Sequence, residues 1–161
     1  WEFWADEKAR AGDLSGIDYE SKIQEVKTIN EFIDAIRLRV DVFIIEQGSK
    51  PGWEPDELDK ISKHYIVIAD GKIVSTARVR QPSKGIFKIE RMVTKKEYRG
   101  KSIGNGLVKF IIDKIKKSKP KKIWLQSQVR SMRFYKKCGF KAVSKPYDLW
   151  GIPHIDMIYK I

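Results

Sequence analysis

The segment Glu97–Gly106 concentrates residues that suit the binding of an anion. It contains the glycines Gly100 and Gly104 and the cations Arg99 and Lys101, and an amphipathic helical pattern follows directly. A helix N-terminus presents unpaired N–H groups and a positive dipole end, and small residues let a pyrophosphate approach those groups. The alternative is a tight glycine turn that binds nothing. A Walker loop is excluded, because no glycine stands at the required distance before the Gly-Lys-Ser sequence.

The hydrophobic patterns predict the elements that position this turn. The capping-box sequence Thr28–Glu31 begins an amphipathic helix that extends to about Ile44. An antiparallel meander, whose first hairpin is marked by Asp70-Gly71, precedes the turn and argues against a Rossmann unit. The predicted strands are 21–26, 64–69, 72–80, 86–94, 122–127, 140–143 and 154–161, and two further helices cover 102–117 and 129–138. We therefore expect an α+β fold, with a mostly antiparallel twisted sheet of six to seven strands and helices on both faces.

Composition limits the class of protein further. The 161 residues are 42% hydrophobic and 34% charged, as expected for one soluble globular domain. No apolar run approaches the roughly 18 residues of a membrane span, so no membrane association is expected. The sequence has one cysteine and two histidines, so we expect neither a disulfide framework nor a metal site. The single cysteine also predicts a reducing compartment, the cytoplasm. We expect the domain to cover residues 21–161, with residues 1–20 as an aromatic and acidic extension of unknown role.

Several stretches of the chain, in the same order, resemble the GNAT superfamily of acetyl-CoA-dependent N-acetyltransferases. Residues 99–104 resemble its Q/R-x-x-G-x-G/A signature, with Ser102 in place of the middle glycine, and residues 89–94 match the strand that precedes it. Residues 128–140 resemble the N-x-x-A-x-x-F-Y-x-x-x-G-F block, with Gln128 and Ser131 replacing Asn and Ala. Residues 39–47 and 151–154 resemble a subgroup of small, poorly characterised members.

The resemblance implies a set of site residues for acetyl-CoA as co-substrate. It places the pyrophosphate of coenzyme A on the turn and the pantetheine arm along the preceding strand, where the N–H of Val93 would polarise the thioester carbonyl. It places Tyr135 as the acid beside the departing thiolate, although an aromatic side chain in a helix can also simply pack. The cofactor-binding residues so implied are Met92, Val93, Thr94, Arg99, Gly100, Lys101, Ser102, Ile103, Gly104, Asn105, Gln128 and Tyr135.

The base that deprotonates the incoming amine has several candidates. Glu90 lies in the central strand, where a carboxylate is costly unless it is solvated, paired or used, and the alternative is an ion pair with Arg78 or Arg80. His154 is the second candidate, because histidine titrates near neutral pH, although a single histidine can equally be structural. Glu46 could act through a water molecule. Direct transfer in a ternary complex is expected, rather than a covalent acetyl-cysteine.

The acceptor is open to more than one interpretation. Between residues 84 and 122, fourteen basic side chains face three acidic ones, which favours an anionic ligand. We expect a small-molecule amine, such as the amino sugar glucosamine 6-phosphate, while the acidic loop 54–59 would suit a polyamine or a protein lysine. A basic nucleic-acid-binding module or a non-catalytic coenzyme A-binding protein are alternatives of another class, but no nucleic-acid motif is present. A homodimer is expected.

Overall fold

A computed structural model describes residues 22–161, so the predicted extension over residues 1–20 lies outside the described residues. The helical elements are α1 (Ile29–Arg39), a π-helix (Val40–Glu46), α2 (Ile103–Lys116), α3 (Met132–Lys137) and three short 3-10 turns (Glu57–Ile61, Lys96–Tyr98 and Val129–Ser131). The strands are β1 (Ile23–Glu25), β2 (Lys63–Ala69), β3 (Lys72–Ser83), β4 (Ile86–Thr94), β5 (Lys122–Gln128), β6 (Phe140–Ala142), β7 (Tyr147–Leu149) and β8 (Ile152–Tyr159).

The strands of the described range form one mixed sheet with the order β1-β2-β3-β4-β5-β8-β6, and β7 pairs with the free part of β8. The β4–β5 pair is parallel and the other pairs are antiparallel. The predicted α+β class with a mostly antiparallel sheet is confirmed. The described sheet has eight strands where the sequence predicts six to seven, because β7 has only three residues and too short a pattern to detect.

The first helix begins as predicted but presents a different face to the core. The Thr28 hydroxyl accepts from the Glu31 N–H, and the Glu31 carboxylate accepts from the Thr28 N–H, which completes the capping box. The expected inward positions Ile29 and Ile33 are exposed, whereas Ala35, Leu38, Arg39 and Val42 are buried at helical spacing. A continuous helix to Ile44 was therefore the wrong expectation, because the chain changes to a π-helix after Arg39.

The second helix covers the opposite face of the sheet. Its buried residues, Ile103, Leu107, Val108, Ile111, Ile112 and Ile115, pack against β2, β3 and β4 in the main core. Val93 points the other way and packs with Leu38 and Val42 below the first helix. The two helices thus hold β4 from both sides and fix the strand that leads into the glycine turn. Within residues 22–161, no helix is both long and apolar enough to cross a membrane.

Candidate active site

The glycine turn between β4 and α2 forms a small cavity of about 160 Å³. Gly100 and Ser102 both adopt positive φ angles, of 76° and 63°, and these let the chain turn sharply into the helix. The first helical hydrogen bond runs from the Gly106 N–H to the Ser102 carbonyl. The N–H groups of residues 103–105 therefore lie before the first hydrogen bond of the helix. Seven of the predicted cofactor residues line this cavity: Thr94, Arg99, Gly100, Ser102, Ile103, Gly104 and Asn105.

Gly104 has a packing role that the sequence did not reveal. A Cβ atom on Gly104 would lie 3.3 Å from Met92 Cε, 3.4 Å from Phe134 Cζ and 3.5 Å from Thr94 Oγ1. The missing side chain therefore lets α2 approach β4 and α3 closely. A large side chain here would disturb the core as well as any ligand.

The arginine of the turn is engaged by a carboxylate. Arg99 donates to both oxygens of Glu46, at 2.6 and 2.8 Å, and its Nε donates to the Thr94 carbonyl at 2.9 Å. The hydrogen bond from Arg99, aided by the Arg99 charge and opposed by partial burial, lowers the pKa of Glu46. This ion pair ties the end of the π-helix to the turn, and it disfavours Glu46 as a base acting through water.

The central strands separate beside this turn. Pairing of β4 with β5 covers Ile86–Lys88, and the two strands then diverge. Arg91 has a φ of 53°, and the β3–β4 register shifts next to it, which marks a bulge in β4. The divergence opens one backbone edge of β4 between the helix-covered faces of the sheet.

The β3–β4 register argues against the expected role of the Val93 N–H. Lys95 donates to the Val74 carbonyl, and Val93 opposes Thr76 two residues further along, so Val93 belongs to the pairs that bond to β3. The N–H groups of Met92 and Thr94 point to the opposite edge, toward the opening. The Thr94 carbonyl accepts from Arg99, which agrees with Thr94 presenting its N–H and C=O to the edge away from β3. The Val93 side chain packs in the core against Leu38 and Val42.

A second cavity, of about 760 Å³, lies at the other end of the opening. Five of the predicted site residues line it: Glu90, Met92, Gln128, Tyr135 and His154. The lining of one cavity therefore contains the candidate acid and the first and second candidate bases, although they come from β4, α3 and β8. Val93 and Lys101 line neither cavity.

Glu90 forms the ion pair that the sequence left open as an alternative. Its carboxylate accepts from Arg78 at 2.6 and 2.9 Å, from Arg80 at 3.1 Å, and lies 3.0 Å from Lys88 Nζ. Burial raises the pKa of Glu90, but the Arg80 hydrogen bond and the charges of Arg78 and Lys88 outweigh it and lower the pKa to about 2. Such a carboxylate is a weak base, and its position favours a structural role.

His154 has the geometry of a usable base. It is 7% exposed, opposes Gln128 in the β5–β8 register, and its Nδ1 lies 2.8 Å from the Ile152 carbonyl. A carbonyl can only accept, so this contact assigns the proton to Nδ1 and leaves Nε2 with its lone pair. The turn that precedes β8 thus fixes both the ring and its tautomer.

Tyr135 is buried against two phenylalanine rings, Phe134 at 5.0 Å and Phe140 at 5.9 Å, and its side chain reaches the large cavity. The nearby Cys138 lies on the same helix end, and burial raises the pKa of its thiol to about 12. Since a thiolate is the nucleophilic form, Cys138 is unsuited to carry an acetyl group.

A buried ionic cluster supports the wall of the large cavity. Asp59 accepts from Arg39 at 2.8 and 3.1 Å and from Arg78 at 3.0 Å. Glu54 bonds Arg39 and Arg91, and Asp56 bonds Arg78 and Arg91. Through these bonds the loop 48–61, whose acidic part the sequence offered as a site for a cationic acceptor, is held against β3 and β4.

Four lining residues were not identified from the sequence. Trp53 and Trp150 pair at 5.3 Å between ring centroids, although they come from loops far apart in the chain. Among the residues that the structure describes, two buried side-chain atoms lack a hydrogen-bond partner, Gln47 Nε2 and Ser131 Oγ, and both residues line this cavity. The departure of Ser131 from the family block was visible, but its burial and missing partner were not.

A sheet that divides beside a glycine turn at the start of a helix suits the binding of an acyl-CoA, as in the acyl-CoA-dependent acyltransferases. The chain belongs to the GNAT acetyltransferase family, because the family model described as "Acetyltransferase (GNAT) domain" matches residues 25–161. The chain is 31% identical over 133 residues to the uncharacterized N-acetyltransferase YjcF of Bacillus subtilis. The aligned region covers 82% of this chain and 94% of the relative.

Solved structures agree with this assignment. A putative N-acetyltransferase from Lactobacillus plantarum superposes with a TM-score of 0.80 at 24% identity, covering 86% of this chain and 96% of that one. An acyl-CoA N-acyltransferase from Pseudomonas aeruginosa superposes with a TM-score of 0.76 at 26% identity, covering 86% and 99%. The chain is therefore an N-acetyltransferase of the GNAT type, and the resemblance found in the sequence is confirmed.

Proposed function

We propose that the protein transfers the acetyl group of acetyl-CoA directly to a small primary amine that binds in the large cavity. The observation that carries this proposal is the arrangement along β4. The turn that suits a pyrophosphate lies at one end of the strand's open edge, and the cavity with Tyr135 and His154 lies at the other. Two substrates bound in these places would meet beside Met92.

The donor would bind along this edge. The pyrophosphate would accept from the N–H groups that precede the α2 ladder, and the pantetheine arm would run along β4 as a third partner between the diverged strands. The N–H of Met92, with that of Thr94, faces the opening and is the donor that we assign to the thioester carbonyl. A fixed donor at this place stabilises the oxyanion that develops as the amine attacks.

His154 and Tyr135 would move the two protons. The amine loses a proton to His154 Nε2, attacks the acetyl carbon and forms the C–N bond. The C–S bond then breaks with its electron pair going to sulfur, and Tyr135 donates its phenolic proton to that sulfur. The acylated nitrogen loses its remaining surplus proton, which restores the Tyr135 phenol through solvent. Glu90 is not assigned to the base, because three cations hold its charge.

For the acceptor we propose an anionic amino sugar, of which glucosamine 6-phosphate is the example to test. The Trp53–Trp150 pair offers flat apolar surfaces for a sugar ring, and exposed Lys50 lines the same cavity. The unpaired Gln47 Nε2 is a donor that requires an acceptor oxygen, as hydroxyl groups supply. A polyamine or lysine substrate is less well supported, because arginines already pair with Glu54, Asp56 and Asp59 of the acidic loop.

The test is a panel of primary amines with acetyl-CoA fixed and thiol release as the readout. Amino sugar phosphates should react faster than the unphosphorylated sugars, and Lys50→Gln should remove that preference while activity on uncharged amines stays. Tyr135→Phe is the matched chemical control: it keeps the ring that packs on Phe134, so acetyl-CoA affinity should stay within about twofold while turnover falls roughly tenfold to a thousandfold.

Two results would contradict this proposal. Full turnover by Tyr135→Phe would reduce the tyrosine to a packing residue. Salt-sensitive binding of short oligonucleotides without any binding of acetyl-CoA would instead favour the nucleic-acid-binding alternative. We also propose that the protein is a homodimer and that it is cytoplasmic.

A further inference from the structure

Ser131 is a buried hydroxyl for which the protein supplies no partner. The residue is 2% exposed, and its Oγ makes no hydrogen bond within the described residues. Buried polar groups in native proteins are almost always satisfied, and an unsatisfied one is costly. Because Ser131 lines the large cavity, a ligand that enters this cavity is the natural source of its missing bond.

The position of Ser131 makes its lack of a partner more informative. Ser131 ends the 3-10 turn that leads into α3, and its helical backbone angles (φ −101°, ψ −2°) go with the absence of a capping hydrogen bond to the first turn. The neighbouring Ser127 is equally buried, and its Oγ donates to the Gln128 carbonyl at 2.7 Å. The hydroxyl of Ser131 therefore has neither a helix-capping hydrogen bond nor a hydrogen bond to a neighbouring carbonyl.

Ser131 also lies one helical turn before Tyr135. Residues four positions apart share a face of a helix, and both side chains line the same cavity. The proposed function, on which this step rests, places the departing sulfur of coenzyme A beside Tyr135. A hydroxyl on the same face is therefore positioned to reach that sulfur too.

We propose that Ser131 is a second catalytic residue, whose hydroxyl donates a hydrogen bond to the sulfur of coenzyme A as the C–S bond breaks. The amine nitrogen forms the C–N bond, the C–S electron pair goes to sulfur, and the proton that sulfur receives comes from Tyr135. Ser131 keeps its own proton and stabilises the negative charge that develops on sulfur. Alanine, which the family block carries at this position, could not do this.

The test compares the binding of coenzyme A with that of desulfo-coenzyme A, so it needs neither an acceptor nor turnover. As the pH rises from 7 to 9 and thiolate forms, the wild-type protein should increasingly prefer coenzyme A, by roughly tenfold for a hydrogen bond to a charged group. Ser131→Ala should lose most of this preference, and Ser131→Thr, which keeps a hydroxyl, should regain part of it.

Thermal unfolding of the unliganded protein supplies an independent readout. Ser131→Ala removes an unsatisfied hydroxyl, so its melting temperature should rise or stay unchanged although the preference for thiolate falls. The matched control is Ser127→Ala, which loses a hydrogen bond made inside the chain. That variant should melt earlier and keep the wild-type preference, because its hydroxyl already has a partner.

Two results would overturn the proposal. If Ser131→Ala keeps the full pH-dependent preference for coenzyme A, the hydroxyl does not contact the sulfur, and a raised KM for the amine would assign it to the acceptor instead. If the wild-type protein binds neither nucleotide, the proposed function itself fails, and this outcome is distinct from normal binding with an unchanged preference.

Discussion

Replacing Asp59 by Asn should lower the free energy of unfolding by an amount that depends on pH. The Asp59 carboxylate is 5% exposed and accepts from Arg39, from Arg78 and from the Asp56 N–H. Burial raises the pKa of Asp59, but the Arg39 hydrogen bond and charge outweigh it and lower the pKa from 3.8 to about 2. This lowering corresponds to about 2.5 kcal/mol of stability at neutral pH.

The sign of the pH dependence follows from the lowered pKa. Between about pH 4 and pH 2 the unfolded chain binds the proton that the folded protein excludes, so the stabilisation is complete above pH 4 and is lost as the pH falls toward 2. The pKa of Glu90 is lowered similarly. Because both carboxylates contact Arg78, their contributions overlap and do not simply add.

Urea unfolding at neutral and acidic pH measures this effect. At pH 7, Asp59→Asn should lower the free energy of unfolding by about 3–5 kcal/mol, because Arg39 and Arg78 stay buried without their shared carboxylate. Near pH 2 the difference between variant and wild type should shrink by about 2 kcal/mol. The matched control is Glu57→Gln on the same loop, whose exposed side chain lies 3.8 Å from Lys60. Its effect should stay below about 0.5 kcal/mol.

The same variant should also change function, because Asp59 anchors the loop that carries Trp53 and Glu54 into the large cavity. At a pH and temperature where Asp59→Asn is folded, we expect a raised KM for the amine and an unchanged affinity for acetyl-CoA. An equal pH dependence of stability in Asp59→Asn and wild type between pH 4 and 2 would refute the assignment of this carboxylate to the buried cluster. A loss of acetyl-CoA affinity alone would refute the division of the site into two cavities.

Four further predictions concern the turn, the core, the base and the oligomeric state. Gly100→Asp should lower acetyl-CoA affinity at least about tenfold in calorimetry while Gly100→Asn does not, because both residues tolerate a positive φ and only the carboxylate repels a pyrophosphate. Gly104→Leu should instead lower stability by roughly 1–3 kcal/mol in thermal or urea unfolding, since its side chain would enter the core. His154→Gln should remove the acidic limb of the kcat/KM profile against pH, whereas Glu90→Gln should keep that limb. Light scattering at micromolar concentration should give the mass of two chains, and a single-chain mass would contradict the homodimer.

The turn on the donor side could be located from the sequence because its residues are consecutive. The glycines and the helix that follows lie within residues 97–117, so their spacing predicted a turn that suits an anion, although a turn that binds nothing has the same pattern. The strand register argues against the role predicted for the Val93 N–H, and the reason is local. Neighbouring residues of a strand turn their N–H groups to opposite edges, and the parity depends on the partner register, which the sequence does not show.

The acceptor side could not be predicted, because its residues come together only in three dimensions. Trp53 and Trp150 lie on separate loops, and the partners of Glu90 come from β3 as well as from its own strand. The sequence could state that a carboxylate in the sheet must be paired or used, but the choice required the positions of Arg78 and Arg80. The unpaired Ser131 hydroxyl likewise depends on every neighbour within reach, not on any motif.

The π-helix after α1 explains how one short segment serves both halves of the site. Periodicity at 3.6 residues predicted an unbroken helix there, and a wider turn over Val40–Glu46 changes which side chains face inward. Arg39 enters the buried cluster, Glu46 bonds Arg99 of the donor turn, and the next residue, Gln47, contacts Gln128 and lines the large cavity. The consecutive residues 46 and 47 thus reach the donor turn and the acceptor cavity. We therefore expect a shift of this segment to move both sites together.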